Sequence, residues 1–184
     1  MADELLQRIN RLESLYEIER LSHRYTWCAD TRDLEGLLDL FVPDVNCGRL
    51  GVGRDALRAS YNVVHRQFYR TVHQVTGVLI DLQDDDHATG KIQMRAEHEI
   101  GDRWVVALMT LFDTYERRDG VWFYVRRKPE QWYASDILDR PEGPNFGDGM
   151  GPADRHPRLP HMQDTWASFW AGHDDDVARL TRHP

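Results

Sequence analysis

The order of hydrophobic periods predicts a single α+β domain. Apolar residues recur at helical spacing up to about residue 69, the pattern changes to a period of two at Thr71, and tight-turn residues separate the alternating runs. Helices followed by an antiparallel meander is an α+β order rather than a βαβ repeat. A chain of 184 residues fits one domain and buries a core without cross-links.

Leu5, Ile9, Leu12, Leu15, Tyr16 and Ile18 form the first apolar stripe, which continues through Leu21, Tyr25 and Cys28. Asp30-Thr31-Arg32-Asp33 breaks it. A short helix is expected from Leu34 to Phe41, stopped near Pro43, and another from about Arg54 to Tyr69 after a glycine-flanked stretch. Four strands are expected at 71–82, 87–100, 103–117 and 121–133. Gly101-Asp102 and Arg118-Asp119-Gly120 are tight hairpin signals. Beyond residue 136 the texture changes. Pro141, Pro144, Pro152, Pro157 and Pro160 predict an irregular segment, and Trp166, Phe169 and Trp170 predict a short docking helix. The expected organisation is a domain over 1–136 and an extension over 137–184 that packs on it or on a neighbouring subunit.

Composition excludes several classes. A net charge of -8 argues against a nucleic-acid surface, which needs a basic patch. Cys28 and Cys47 are too few for a disulfide framework or a structural zinc site and read as small buried apolar groups in a reducing, cytoplasmic setting. No apolar run suggests a signal peptide or a membrane span. Gly48 to Gly53 lacks the strand–helix context of a dinucleotide loop, and Asp84 to Asp86 lacks calcium-loop spacing. His156 and His161 flank prolines and do not suggest a metal site, so no cofactor is expected.

Alternation singles out polar residues on apolar faces. In the second strand Ile92, Met94, Ala96, His98 and Ile100 share one face, opposite Lys91, Arg95, Glu97 and Glu99. His98 is therefore either a hydrogen-bonded core histidine or a pocket residue. In the fourth strand Arg127 shares a face with Val121, Phe123 and Val125, and an inward arginine needs a carboxylate or an anionic ligand. His73 shares a face with Val75 and Leu79, but both faces of that strand look partly apolar. Asp30 follows an apolar helix end, and Tyr25 sits on that helix.

The phrase Tyr25-Thr26-Trp27-Cys28-Ala29-Asp30, the following Leu34-Glu35-Gly36-Leu37-Leu38-Asp39-Leu40-Phe41 and the later Thr71-Val72-His73 together resemble SnoaL-like proteins of the nuclear-transport-factor-like superfamily. Within it the resemblance is to scytalone dehydratase and hexachlorocyclohexane dehydrochlorinase, over about residues 8–133. It implies a cystatin-like, cone-shaped barrel of helices closed by a curved antiparallel sheet around a deep pocket. His73 and Asp30 fall on the shared catalytic dyad, His98 on the dehydratase's second histidine, and Arg127 near the dehydrochlorinase arginine. Tyr25 takes a position where the dehydratases place a tyrosine. Lys128-Pro129-Glu130-Gln131-Trp132 departs from the polar floor of scytalone dehydratase.

The expected chemistry is a cofactor-independent elimination from a small hydrophobic, cyclic or aromatic substrate. His73 acts as base and Asp30 orients it; Arg127 stabilises the developing anion, and Tyr25 or His98 protonates a leaving hydroxyl. A homo-oligomer, trimeric or dimeric, is implied. Three other readings share the scaffold: an isomerase, the non-catalytic β subunit of an aromatic-ring dioxygenase, and an epoxide cyclase or hydrolase, for which Asp113 is the available carboxylate.

Overall fold

The computed structural model describes residues 1–138 and 159–175. Its elements are α1 (Ala2–Thr31), α2 (Leu34–Leu38), α3 (Arg54–His65), β1 (Thr71–Leu82), β2 (His87–Ile100), β3 (Arg103–Arg118), β4 (Val121–Asp136) and α4 (Asp164–Trp170). The strands form one antiparallel sheet in sequential order, with β1 and β4 at its edges. This is the α+β arrangement, with α1, α2 and α3 gathered on one face of a curved sheet.

α1 ends where the polar break predicts. Arg32 adopts the left-handed conformation at φ 61° and ψ 25°, which turns its own N–H back to Ala29 O and lets Asp33 N–H reach Cys28 O. Asp33 then starts α2, its carboxylate accepting from Gly36 N–H at 2.9 Å. α2 stops at Leu38 rather than Phe41. The backbone groups that would extend it are taken by β4: Tyr124 N–H donates to Leu40 O and Val42 N–H donates to Tyr124 O. α3 likewise ends at His65, earlier than the expected Tyr69, because Tyr69 N–H is drawn to Glu99 O on β2.

The main core packs Ile18, Leu21 and Leu37 against Tyr115, Trp122 and Tyr124 of the sheet. The first turns of α1 are not part of it: Leu5, Leu6, Ile9 and Leu12 are exposed. Leu159 is buried beside β4, where its N–H donates to Gln131 O at 3.0 Å. On α4, Trp166, Phe169 and Trp170 stack edge-on with one another. Pro141, Pro144, Pro152, Pro157 and His156 lie outside the described residues.

Two bulges overturn the simple alternation. In β1, Val75 pairs with Met94 and Gly77 with Gln93, so Thr76 is an extra residue. His73 and Val75 therefore share the helix-facing side with Val78 and Ile80, while Leu79 is 68% exposed on the other. In β4, Tyr124 pairs with Tyr115 and Arg126 with Thr114, leaving Val125 extra. The inner face before the bulge is Trp122 and Tyr124, not Val121, Phe123 and Val125. The slip at Val125 returns Arg127 to that inner face. The inward arginine was expected; the residues assigned to its face were not the right ones.

Gly90 of β2 lies under the fully buried ring of Tyr115, where an added Cβ would come within 2.9 Å of the ring. Gly90→Ala should destabilise the fold by ~1–3 kcal/mol through overpacking. A lower urea midpoint with an unchanged slope would confirm it.

Candidate active site

Asp30 sits in the last turn of α1, where the helix dipole disfavours a carboxylate and no basic residue in that turn compensates. The start of β1 supplies the missing donors. Thr71 hydroxyl donates to Oδ1 at 2.8 Å, His73 backbone N–H donates to Oδ2 at 2.8 Å, and His73 Nδ1 lies 2.6 Å from Oδ1. The His73 N–H is available because β1 is an edge strand at this point. Arg32 extends the chain, donating to Thr71 Oγ1 at 2.8 Å and to Phe68 O at 3.1 Å. Burial alone would raise the Asp30 carboxyl, but the His73 and Thr71 hydrogen bonds hold it below the usual carboxylate range. An ionised carboxylate only accepts, so His73 Nδ1 carries the proton and Nε2 presents its lone pair. The two side chains are 14% and 23% exposed, so the pair is sheltered yet reachable.

His98 is 4% exposed on the inner face of β2, as alternation predicts. Its ring meets that of His73 edge-on at 5.4 Å and that of Phe68 at 4.3 Å, and its Nδ1 has no protein partner. Burial, aided by the nearby His73, pushes its pKa down to about 3, so it is a neutral imidazole near pH 7. A third imidazole, His65 at the end of α3, packs on Tyr61 within electrostatic reach of the group. Burial and the charges of Arg32 and His73 bring it down to about 4.

Tyr25 and Arg127 belong to a second, adjoining group. Arg127 donates through Nε and Nη2 to Asp113 at 3.0 and 2.7 Å, with both side chains almost wholly buried. Its guanidinium lies between the rings of Tyr25 and Tyr124, 4.2 and 4.3 Å from their centroids. The carboxylate that the inward arginine requires is thus Asp113, which also accepts from Tyr115 hydroxyl. That pairing withdraws Asp113 from the water-activating role an epoxide hydrolase would need. Arg127 Nη1 remains without a protein partner. Tyr25 is bonded to Tyr61 hydroxyl at 3.1 Å, and burial raises its phenol above the usual value despite Arg127. The two groups meet where the Tyr61 and His65 rings stand 5.3 Å apart.

Five predicted residues therefore fall into a triad of Asp30, His73 and His98 and a pair of Tyr25 and Arg127. Sequence reasoning missed Arg32, Tyr61, His65 and Phe68. The signal for three of them was the spacing Leu57, Tyr61, His65 and Phe68, which puts one face of α3 and its exit over the sheet. Gln131 was also missed; its Oε1 is buried without a partner on the inner face of β4. Among the described residues no group of His, Cys, Asp and Glu could hold a metal, both cysteines are free, and no helix is long and apolar enough to cross a membrane. A cavity of about 430 Å³ lies on the outer face of the sheet, lined by Leu79, Lys91, Phe112, Trp132 and Leu159 among others, away from the histidines.

A family model described as a SnoaL-like domain matches residues 10–128. A provisionally assigned scytalone dehydratase from Novosphingobium aromaticivorans superposes with a TM-score of 0.62 at 26% identity, covering 77% of this chain and 95% of that one. A LinA-type hexachlorocyclohexane dehydrochlorinase from Novosphingobium barchaimii gives 0.64 at 22% identity, covering 74% and 99%. A protein of Novosphingobium aromaticivorans described as NTF2-like with a cystatin-like fold gives 0.58 at 23% identity, covering 70% and 88%. No curated protein matches.

The buried imidazoles predict acid sensitivity. His98 gains its proton near pH 3 when folded but near 6.5 when unfolded, so between these values the unfolded state holds more protons. Stability should fall as pH falls across that window, by up to ~1.4 kcal/mol per pH unit for each such group. His98→Asn should flatten the slope of unfolding free energy against pH between roughly 6 and 4 by about one proton's share; an unchanged slope would contradict this assignment.

Proposed function

This chain belongs to the SnoaL-like family, and on that premise we propose that it is a lyase that removes a proton from carbon and expels a leaving group without a cofactor. The observation that carries this reading is the 2.6 Å contact between His73 Nδ1 and Asp30, reinforced by the His73 N–H on the second carboxylate oxygen. The backbone bond fixes where the carboxylate sits, the carboxylate fixes the tautomer, and Nε2 is left as the base. The carboxylate also stabilises the imidazolium that forms when the proton arrives.

The proposed step breaks a carbon–hydrogen bond, with the proton going to His73 Nε2. Its electron pair forms the double bond, and the bond to the leaving group breaks on the adjacent carbon. His98, neutral and held against His73, hydrogen-bonds the substrate through its free Nδ1 rather than acting as a charged acid. Arg127 offers Nη1 to a developing oxyanion, with a charge already balanced by Asp113. Tyr25, Tyr61 and Phe68 make the nearby surface aromatic, which suits a hydrophobic cyclic or aromatic substrate. Likeness to dehydratase and dehydrochlorinase structures supports this class. An isomerase would use the same base and return the proton to another carbon.

The test is base removal on a cyclic ketone carrying a leaving group β to the carbonyl, followed by the absorbance of the enone formed. His73→Ala and Asp30→Asn should each lower kcat by roughly 10²–10⁴. Full activity in both variants would overturn the reading. Transfer of the proton to a new carbon with no group expelled would point to the isomerase instead.

A further inference from the structure

Arg32 stands where a helix is best ended by glycine. Its backbone is left-handed, at φ 61° and ψ 25°, a conformation that residues with a Cβ rarely adopt and that glycine adopts freely. The backbone bonds that close α1 run from Arg32 N–H to Ala29 O and from Asp33 N–H to Cys28 O, and neither uses the Arg32 side chain. Glycine would make both with less strain. A long arginine in that conformation points to a task for its guanidinium.

The contacts of that guanidinium lead to the base. Three backbone carbonyls anchor it: Nη1 donates to Ala29 O, and Nη2 donates to Phe68 O at 3.1 Å and to Tyr69 O at 3.4 Å. The second N–H of Nη1 donates to Thr71 Oγ1 at 2.8 Å. The Thr71 hydroxyl has one proton of its own, and it donates this to Asp30 Oδ1 at 2.8 Å. The same Oδ1 lies 2.6 Å from His73 Nδ1. Arg32 is therefore two hydrogen bonds from the carboxylate and three from the imidazole. By occupying the Thr71 oxygen as an acceptor, it turns the hydroxyl proton toward Asp30 and strengthens it as a donor. Without that bond the hydroxyl is free to rotate, and Asp30 loses one of the donors that hold it in place.

We propose that Arg32 is a positioning residue for the base, acting through Thr71 to lock the Asp30 carboxylate on His73 Nδ1 without itself contacting the reacting atoms. The inference rests on the reading of His73 as the base. A misplaced base slows the chemical step while leaving substrate contacts intact, so loss of Arg32 falls on kcat rather than KM. Lysine is a poor substitute, because a point charge on a flexible stem cannot hold three carbonyls and the Thr71 hydroxyl as a planar fork does.

Arg32→Gly separates positioning from helix capping, because glycine suits the backbone there and would fully replace a cap. The variant should stay folded and, on 3-hydroxy-1-indanone, lose roughly 10–10²-fold in kcat with KM changed by less than about 3-fold. Arg32→Lys should lose kcat in the same direction, and it serves as the test if the glycine variant does not fold. Thr71→Val should also slow turnover, and in its background Arg32→Gly should add less than about 3-fold, since the route is already cut. Full additivity, or wild-type kcat in Arg32→Gly while His73→Ala is impaired, would overturn the proposal. A second readout needs no turnover. Nitrogen NMR shifts of the His73 ring in the full chain should show the Nδ1–H tautomer in wild type and a mixture of tautomers in Arg32→Gly and Thr71→Val; unchanged shifts in both variants would overturn the positioning role. If His73→Ala keeps full activity while Arg32→Gly still alters the tautomer, the base reading fails and the positioning assignment stands.

Discussion

Asp30 joins the two layers of this protein at the place where chemistry is proposed. Its carboxylate ends the longest helix, accepts from the Thr71 hydroxyl, the His73 backbone and the His73 ring, and so ties α1 to the first strand of the sheet. A negative charge at a helix C-terminus is unfavourable by itself. Three donors, with Arg32 behind one of them, offset that cost and hold the carboxyl below its usual range. The same bonds that make the charge tolerable also orient the imidazole. Structural anchoring and base activation are therefore one interaction, and substitution at Asp30 tests both.

Around that tie the interior divides by chemistry. One end of the inner face is a group of imidazoles sheltered by Phe68; the other is an arginine neutralised by Asp113 and clasped by tyrosines. Burial drives both. It keeps His65 and His98 uncharged, and it requires Arg127 to have a carboxylate partner. Tyr61 and His65, a turn apart on α3, link the two ends. The arrangement leaves Arg127 Nη1, His98 Nδ1 and Gln131 Oε1 without protein partners on the same side of the sheet. Such buried atoms cost stability unless something else satisfies them, which is the usual signature of a site shaped for a polar ligand.

Alternation alone placed His98 on the inner face, and the polar break at Asp30 to Asp33 placed the end of α1. The starts of the four strands followed from the change of period and from Gly101-Asp102 and Asp119-Gly120, while β4 runs on to Asp136, beyond the expected end at 133. Alternation failed where an extra residue entered a strand. Thr76 and Val125 each shift the register by one, which returns Val78 and Arg127 to the inner face and turns Leu79 outward. A bulge has no strong local signature, because the extra residue is chosen by what its neighbours must pack against. The ends of α2 and α3 were misplaced for a related reason: Tyr124 and Glu99, distant in the chain, took the backbone groups that would have continued those helices.

Periods, turn residues and short polar breaks are local properties, so the sequence by itself determined the α+β order, the meander and the inner position of His98. Resemblance in a few phrases added the pairing of His73 with Asp30, which no spacing could supply across 43 residues. The tertiary structure alone decided which carboxylate neutralises Arg127, which residues share its face, and that the His98 ring meets His73. Those outcomes depend on contacts between residues far apart in the chain and on the burial they create, and neither exists until the sheet has curved around its helices.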